Sequence, residues 1–226
     1  LAAVIIMAII VLMVVLVIIL NDGTRKIPVQ YAQKVQGRRL VGGQSSSIPL
    51  KVNTAGVIPI IFAQSLLQFP LIISSFVKYN TAGVWAEILK YLNSGNWCSL
   101  QQPKYTIGML VYIVLVIFFA YFYTSITFNP LMVADNMKKQ GGFIPGIRPG
   151  KPTSDYLTKV LNYVIFIGAV GLTIIGILPY IFNGIFKASV SFGGTSLIII
   201  VSVILETMKQ IESQMLVRNY KGFLND

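Results

Sequence analysis

The stretch LAAVIIMAIIVLMVVLVIIL, Leu1–Leu20, is 20 residues long and holds no polar side chain. A helix needs about 20 mostly apolar residues to cross a hydrocarbon core about 30 Å thick. Four further apolar stretches follow it: Asn53–Val77, Tyr105–Thr127, Tyr156–Phe182 and Val190–Met208. The last of these is slightly short. The sequence therefore predicts an all-α polytopic membrane protein with five transmembrane helices, which excludes most classes of soluble enzyme.

The segments between these stretches differ in charge. The chain carries 18 basic and 7 acidic residues, and 14 of the basic ones fall in or beside the first and third connecting segments or in the tail. Basic residues stay on the cytoplasmic side of a membrane. We therefore expect segments 21–52, 128–155 and 209–226 to be cytoplasmic and segments 78–104 and 183–189 extracytoplasmic, with the chain starting outside and ending inside. This topology accounts for most of the net charge of +11, and a cytoplasmic polyanion such as ribosomal RNA is the candidate for the remainder.

The composition excludes several kinds of chemistry. The chain has no histidine and a single cysteine, Cys98, so it can form neither a histidine-based metal site nor an intrachain disulfide. No charged residue lies deep in an apolar stretch, and Glu206 falls near the predicted cytoplasmic end of the last one. A charge at the bilayer centre costs about 2.5–3.5 kcal/mol, a cost that ion-coupled transporters usually accept. We predict no catalytic residue, no metal and no cofactor.

The start of the sequence indicates a longer protein. The chain opens within an apolar run without a Met, and residues 1–20 lack the basic region and small-residue cleavage site of a signal peptide. We expect this chain to be the C-terminal part of a larger membrane protein.

The second apolar stretch is the least regular of the five. Pro59 and Pro70 each remove a backbone donor and bend a helix. Gln64 and Gln68 are one turn apart, so they share one helical face at membrane depth. An amide in hydrocarbon needs a hydrogen-bonding partner, either another helix or water. Two interpretations are open: a polar clamp between helices, or a mobile helix that lines a polar pathway.

Two connecting segments are predicted to contain secondary structure. In the first, Ile27–Ala32 and Ser47–Val52 can pair as short strands. In the second, the apolar residues of segment 81–92 fall on one helical face and include Trp85, which predicts a short helix lying in the membrane interface.

The third connecting segment contains GGFIPGIRPGKPT, residues 141–153. This much Gly and Pro fixes an irregular backbone, which we expect to present Ile147, Arg148 and Lys151 outward. Connections between helices often need only about 2–8 residues. Cytoplasmic segments this long and basic are typical of docking surfaces.

Three motifs carry a resemblance to a known family. KVNTAGVIP (Lys51–Pro59), GFIPGIRPG (Gly142–Gly150) and FGGTSL (Phe192–Leu197) resemble, in order and spacing, signatures of the SecY family of protein-conducting channel subunits. The resemblance covers essentially all 226 residues. It implies that the five helices are the sixth to tenth of a ten-helix protein, whose two pseudo-symmetric halves close around an hourglass pore.

The resemblance also implies roles for particular residues. Ile61 and Ile199 match the positions that contribute to the pore ring; taken without the family, both would be ordinary packing isoleucines. The residues that match the lateral gate are Pro59, Gln64, Gln68 and Phe69. The residues that match the docking sites for the ribosome and the SecA motor are Arg38, Arg39, Arg148 and Lys151.

The function implied is a passive channel in the bacterial plasma membrane. It would pass unfolded secretory polypeptides across and release transmembrane segments sideways. The partners implied are the small subunits SecE and SecG, the SecA ATPase, the ribosome, the nascent polypeptide with its signal sequence, and the N-terminal half of the same protein. Such a channel needs no catalytic residues, since translation or an ATPase outside the membrane supplies the energy.

Two other functions were weighed against the channel. The first is one half of an inverted-repeat secondary transporter, with a substrate site flanked by Pro59 and Pro70. The lack of intramembrane charge and the large basic segments disfavour it. The second is an intramembrane enzyme, which ranks last because the sequence offers almost no acid–base groups.

Overall fold

The computed structural model of the protein describes residues 2–31, 34–36, 39–41, 45–76, 83–98, 103–186 and 194–221, and for some residues within helices and strands it describes the backbone alone. The described chain is mostly helical, as predicted. Its helices are α1 Ala2–Asp22, α2 Ile58–Phe76, α3 Val84–Leu92, α4 Ile107–Thr127, α5 Pro130–Lys139, α6 Lys151–Phe186 and α7 Gly194–Lys221. Its strands are β1 Thr24–Tyr31, β2 Lys34–Gln36, β3 Arg39–Val41, β4 Ser45–Lys51 and β5 Gly142–Phe143.

Three helical stretches among the described residues are long and apolar enough to cross a membrane: Ile58–Phe76, Pro103–Lys139 and Lys151–Ile181. Within α1, the part Ile10–Asp22 is apolar but shorter than these three stretches. The 28-residue helix α7 continues well past the apolar stretch that predicted it. The predicted total of five membrane-spanning helices therefore stays a prediction.

The chain divides into two compact units. The first unit comprises Leu1–Asn21, Gln64–Tyr112 and Ile174–Asp226, and the second comprises Asp22–Ala63 and Ile113–Thr173.

A three-stranded antiparallel sheet organises the second unit, in the order β4-β1-β5. β1 and β4 pair over most of their length, with Ile27 opposite Ile48, which confirms the predicted strand pair. On the other side of β1, Tyr31 lies opposite Gly142 of β5. Because β1 and β5 come from segments 21–52 and 128–155, the sheet joins the two segments that were predicted to be cytoplasmic docking surfaces.

The sheet packs its apolar face on α5 and α6. Along β1 the side chains alternate between buried and exposed over Lys26–Gln30, as period-2 geometry requires. Fully burying one such aliphatic side chain contributes about 1.5–3 kcal/mol. The buried residues of this core are Ile27, Val29, Leu50, Ala134, Met137, Ile144, Leu157, Val160 and Val164.

Helix α5 lies within segment 128–155, which was predicted to be a cytoplasmic loop without a helix. Its start is capped by Asn129, whose side-chain oxygen accepts hydrogen bonds from the backbone N–H groups of Leu131 and Met132 at 3.1 and 3.3 Å. Pro130 occupies the first turn, where a missing N–H costs nothing. An Asn-Pro pair before a run of helix formers is a helix-start signal, and it could have predicted this element.

In the first unit, α3 packs against the beginning of α4. A Cβ at Gly108 would collide with the carbonyl oxygen of Tyr91, so only glycine allows the two helices to approach this closely. Tyr91 and Tyr105 also meet edge to face, with ring centroids 5.1 Å apart. The predicted short helix in this segment is therefore present, and Val84 and Trp85 on its surface are exposed.

Candidate functional site

The turn before α6 holds Arg148 at its tip. The Ile147 N–H donates to the Ile144 carbonyl at 3.0 Å, which closes the turn. Gly146, with φ +83°, supplies a left-handed conformation that other residues adopt only with strain. Thr153 Oγ1 then donates to the Arg148 carbonyl at 2.8 Å, which fixes the arginine backbone to the first turn of α6. The guanidinium group is thus carried on a well-defined backbone.

Arg148 and Lys151 are exposed, in agreement with the prediction. Ile147 is not: it is half-buried and packs against the core of the second unit, so the prediction that it points outward was wrong in large part. The apolar side chain anchors the turn, because its burial removes hydrocarbon from water.

The two basic segments meet through the pairing of β1 with β5. A Cβ at Gly142 would lie 2.9 Å from the ring of Tyr31, so glycine is required for this close approach. The surface of the second unit is consequently rich in exposed basic side chains. These are Arg25, Lys26, Lys51, Lys138, Lys139, Arg148, Lys151 and Lys159, against the exposed acids Asp22, Asp135 and Asp155.

The other two predicted docking arginines lie next to β3. Arg39 is the first residue of that strand and pairs with Gln36 of β2. Arg38 lies outside the described residues. The structure therefore describes the backbone of the hairpin that carries Arg39.

The two isoleucines predicted for the pore ring lie in different units. Ile61 belongs to the second unit, where Pro59 and Ile60 before it are buried and Ile61 itself is 42% exposed. Ile199 lies on α7 in the first unit and is half-buried. Near it, Ser202 Oγ accepts a hydrogen bond from Asn21 Nδ2 at 3.0 Å, which ties α1 to α7.

The two glutamines of α2 have different surroundings. Gln64 Nε2 donates to Tyr180 Oη of α6 at 2.6 Å, so this residue forms the clamp between helices that was one of the two interpretations. Gln68 is exposed, and Phe69 beside it is 62% exposed. Of the four predicted gate residues, Gln64 thus binds a neighbouring helix, Gln68 and Phe69 are exposed, and Pro59 is buried at the start of α2.

An aromatic cluster surrounds Tyr180, and the sequence analysis did not find it. Its members are Trp97, Tyr112 and Tyr180, and each ring contacts the other two at centroid distances of 5.7, 5.1 and 6.1 Å. Trp97 was hidden in a connecting segment without periodicity. Nothing in the sequence pairs it with residues on α4 and α6.

Cys98 follows Trp97 directly in the chain. Its Sγ contacts Met109 Sδ at 3.6 Å, and burial raises the pKa of its thiol. A raised thiol pKa keeps the group protonated and unreactive at neutral pH. Among the described residues, no group of three or more His, Cys, Asp or Glu side chains could hold a metal ion.

Comparisons of the sequence with known proteins agree on one family. The sequence model of the SecY family matches residues 1–208. The chain is 47% identical over 214 residues to the protein translocase subunit SecY of Mycobacterium leprae, covering 92% of this chain and 48% of that protein. With the protein translocase subunit SecY of Streptomyces coelicolor it shares 50% identity over 209 residues, covering 92% and 46%. The chain thus spans about half the length of the curated relatives it matches.

The fold agrees with a solved structure from a study of the SecY plug domain and the closed state of its translocation channel. The TM-score is 0.62 at 19% sequence identity, covering 96% of this chain and 51% of that one. The secondary-transporter alternative gains no support from any of these matches. With a family match over most of its sequence and a fold of the same kind, the chain belongs to the SecY family.

Proposed function

We propose that the protein forms part of a protein-conducting channel, through which unfolded secretory polypeptides cross the bacterial plasma membrane and from which transmembrane segments leave sideways into lipid. The family match over residues 1–208 carries this proposal. It is supported by relatives of 47–50% identity that are named as protein translocase subunits.

In this proposal Ile61 and Ile199 contribute to a ring that closes around the polypeptide. Ile61 follows two buried residues and is itself 42% exposed, which suits a side chain that meets a passing polypeptide. Branched aliphatic side chains contact any sequence through dispersion forces, which are individually weak and unspecific. A ring of them also disfavours water and ions in the closed pore.

The lateral gate is assigned to α2. Pro70 lies inside this helix, where its missing N–H removes one backbone hydrogen bond and favours a bend. Gln68 and Phe69 are exposed, which suits residues that meet a signal sequence or lipid. Pro59 is buried at the start of the helix and fixes its point of entry.

Part of the exposed basic surface of the second unit is assigned to docking, and Lys159 of α6 lies outside that part. Arg148, Lys151 and the hairpin that carries Arg39 would contact either ribosomal RNA or the SecA ATPase. SecE and SecG would be neighbours in the membrane. The chain itself would have no catalytic role, because a bound ribosome or ATPase drives the polypeptide.

Site-specific photocrosslinking tests the channel. Probes replace Ile61, Ile199 and, as a control, Val114, an α4 side chain that is 65% exposed. A secretory polypeptide is then arrested partway through the complete, membrane-embedded protein. We expect crosslinks to the polypeptide from both isoleucines and crosslinks to lipid from Val114. If the polypeptide is engaged and neither isoleucine reacts with it, the pore assignment is wrong.

The docking assignment predicts a steep dependence of ribosome affinity on salt. Each basic residue that neutralises a phosphate adds roughly 0.7–0.9 to the slope of log affinity against log salt concentration. Replacing Arg148 and Lys151 together by alanine should therefore lower the slope by about 1.4–1.8, measured by sedimentation of ribosomes with the complete protein in nanodiscs. Lys159→Ala serves as the control, with no change expected. An affinity that does not vary with salt would contradict direct phosphate binding.

A further inference from the structure

The hydrogen bond between Gln64 and Tyr180 joins the proposed gate helix α2 to α6. The amide is half-buried, and its Nε2 donates to Tyr180 Oη at 2.6 Å. Gln64 belongs to α2, which is long and apolar enough to cross a membrane. No water competes for such a bond in hydrocarbon, so α2 keeps the bond unless another polar group replaces it. The bond therefore favours the position of α2 seen in this structure.

Tyr180 is itself held in place by its aromatic neighbours. Its ring meets Trp97 at 5.1 Å with an interplanar angle of 66°, and Tyr112 at 6.1 Å with 77°. Edge-to-face contacts at these distances are attractive and directional. Pro179, directly before Tyr180, is a bend-forming residue inside α6, so the ring contacts help to fix a part of the helix where the backbone ladder is interrupted.

Trp97 anchors the cluster to the segment between α3 and α4. Its indole N–H donates to the Tyr91 carbonyl at 2.9 Å, and the side chain is only 3% exposed. The same carbonyl lies against Gly108, at the start of α4. Trp97 thus has two fixed attachments, one to α4 and one to the end of α3.

We propose that Tyr180 is a positioning residue that holds α2 in its resting position through Gln64, and that Trp97 sets the orientation of Tyr180 from the extracytoplasmic side. This inference rests on the proposed function, in which α2 is the gate. A polypeptide that opens the gate must break or replace the bond from Gln64 to Tyr180. One neutral hydrogen bond is weak enough for this exchange to be reversible.

The cluster supplies its own matched control. Tyr112 Oη is buried and has no hydrogen-bond partner among the described residues. Tyr180→Phe and Tyr112→Phe therefore remove the same atom from neighbouring rings and leave the aromatic contacts in place. Only the first removes the bond to Gln64.

The experiment measures the separation of α2 and α6 in the complete protein in lipid nanodiscs. Nitroxide labels are attached at Ile73→Cys and Ile174→Cys, two exposed positions of the first unit, in a Cys98→Ser background. Tyr180→Phe should increase the displaced population of α2 roughly three- to tenfold, as loss of one hydrogen bond predicts. Tyr112→Phe should leave the distance distribution unchanged. Gln64→Leu should reproduce the effect of Tyr180→Phe, and combining the two substitutions should cause no further displacement.

Transport is measured in parallel, with a normal secretory polypeptide and one that has a weakened signal sequence. Tyr180→Phe should raise transport of the weakened one by a similar factor, because less binding energy is needed to displace α2. Equal distance distributions in Tyr180→Phe and the unsubstituted protein would overturn the inference, as would equal broadening in Tyr180→Phe and Tyr112→Phe. If the distances change as expected but the unsubstituted protein transports neither polypeptide, the proposed function fails and the positioning role of Tyr180 stands.

Discussion

If the proposed docking role holds, replacing Arg148 by glutamate is expected to reduce ATPase-driven transport of a secretory polypeptide at least about 30-fold. The side chain is exposed at the tip of a turn whose hydrogen bonds involve only its backbone, so the substitution leaves the fold intact. A reversed charge at a docking contact turns attraction into repulsion, and losing a well-placed charged contact typically costs about 2–5 kcal/mol. The measurement is the rate at which a labelled polypeptide becomes protected from protease inside vesicles that contain the complete protein.

Lys159→Glu is the matched control for this substitution. Lys159 is an exposed basic residue of α6 in the same unit, outside the glycine- and proline-rich turn. The same change of charge should alter the rate by less than about threefold, because surface charges away from a contact are screened by salt. Equal losses in both variants would mean that overall charge, and not docking at Arg148, governs the rate.

Replacing Gly168 by alanine is expected to destabilise the protein by about 1–3 kcal/mol, the usual cost of overpacking. A Cβ at this position would collide with the carbonyl oxygen of Val52, and the carbonyl carbon lies 3.2 Å away. Backbone atoms cannot rotate away as a flexible side chain can. The Val52 N–H also donates to the Gly23 carbonyl at 2.8 Å, which extends the pairing of β1 with β4 by one residue on each strand.

The destabilisation is measured as the midpoint of thermal unfolding of the complete protein, which should fall by roughly 2–10 °C. Ile167→Ala is the control, since Ile167 is the neighbouring residue on the same helix and is 61% exposed. Its loss should change stability by no more than about 0.5 kcal/mol. An unchanged midpoint for Gly168→Ala would show that the end of β4 at Val52 can move away from α6 without cost.

The sequence predicted the elements whose periodicity is strong. Long apolar runs predicted helices, and the pairing of β1 with β4 followed from two short runs rich in extended-chain residues. Boundaries were less accurate. α6 begins at Lys151, before the predicted Tyr156, since Pro152 suits the first turn of a helix, and α7 continues to Lys221 because its polar continuation consists largely of good helix formers.

The contacts of the candidate site were beyond what the sequence could predict. Gln64 was recognised as needing a partner, but Tyr180 is 116 residues away and no local pattern connects the two. Ile147 was placed outward because its neighbours are polar and irregular. Its burial depends on the sheet that β1 forms with β5. This pairing joins distant segments, and no pattern in the sequence of either segment indicates it.

The strand order β4-β1-β5 has a consequence for the proposed handling of unfolded chains. A sheet with free edges offers backbone groups to any extended polypeptide nearby, and such a polypeptide can add itself as a further strand. Among the described strands, one edge of this sheet is β5, which is only two residues long, and the other is β4, where Pro49 removes a backbone donor. Under the proposed function, this sheet therefore offers little free edge with which an unfolded polypeptide could pair.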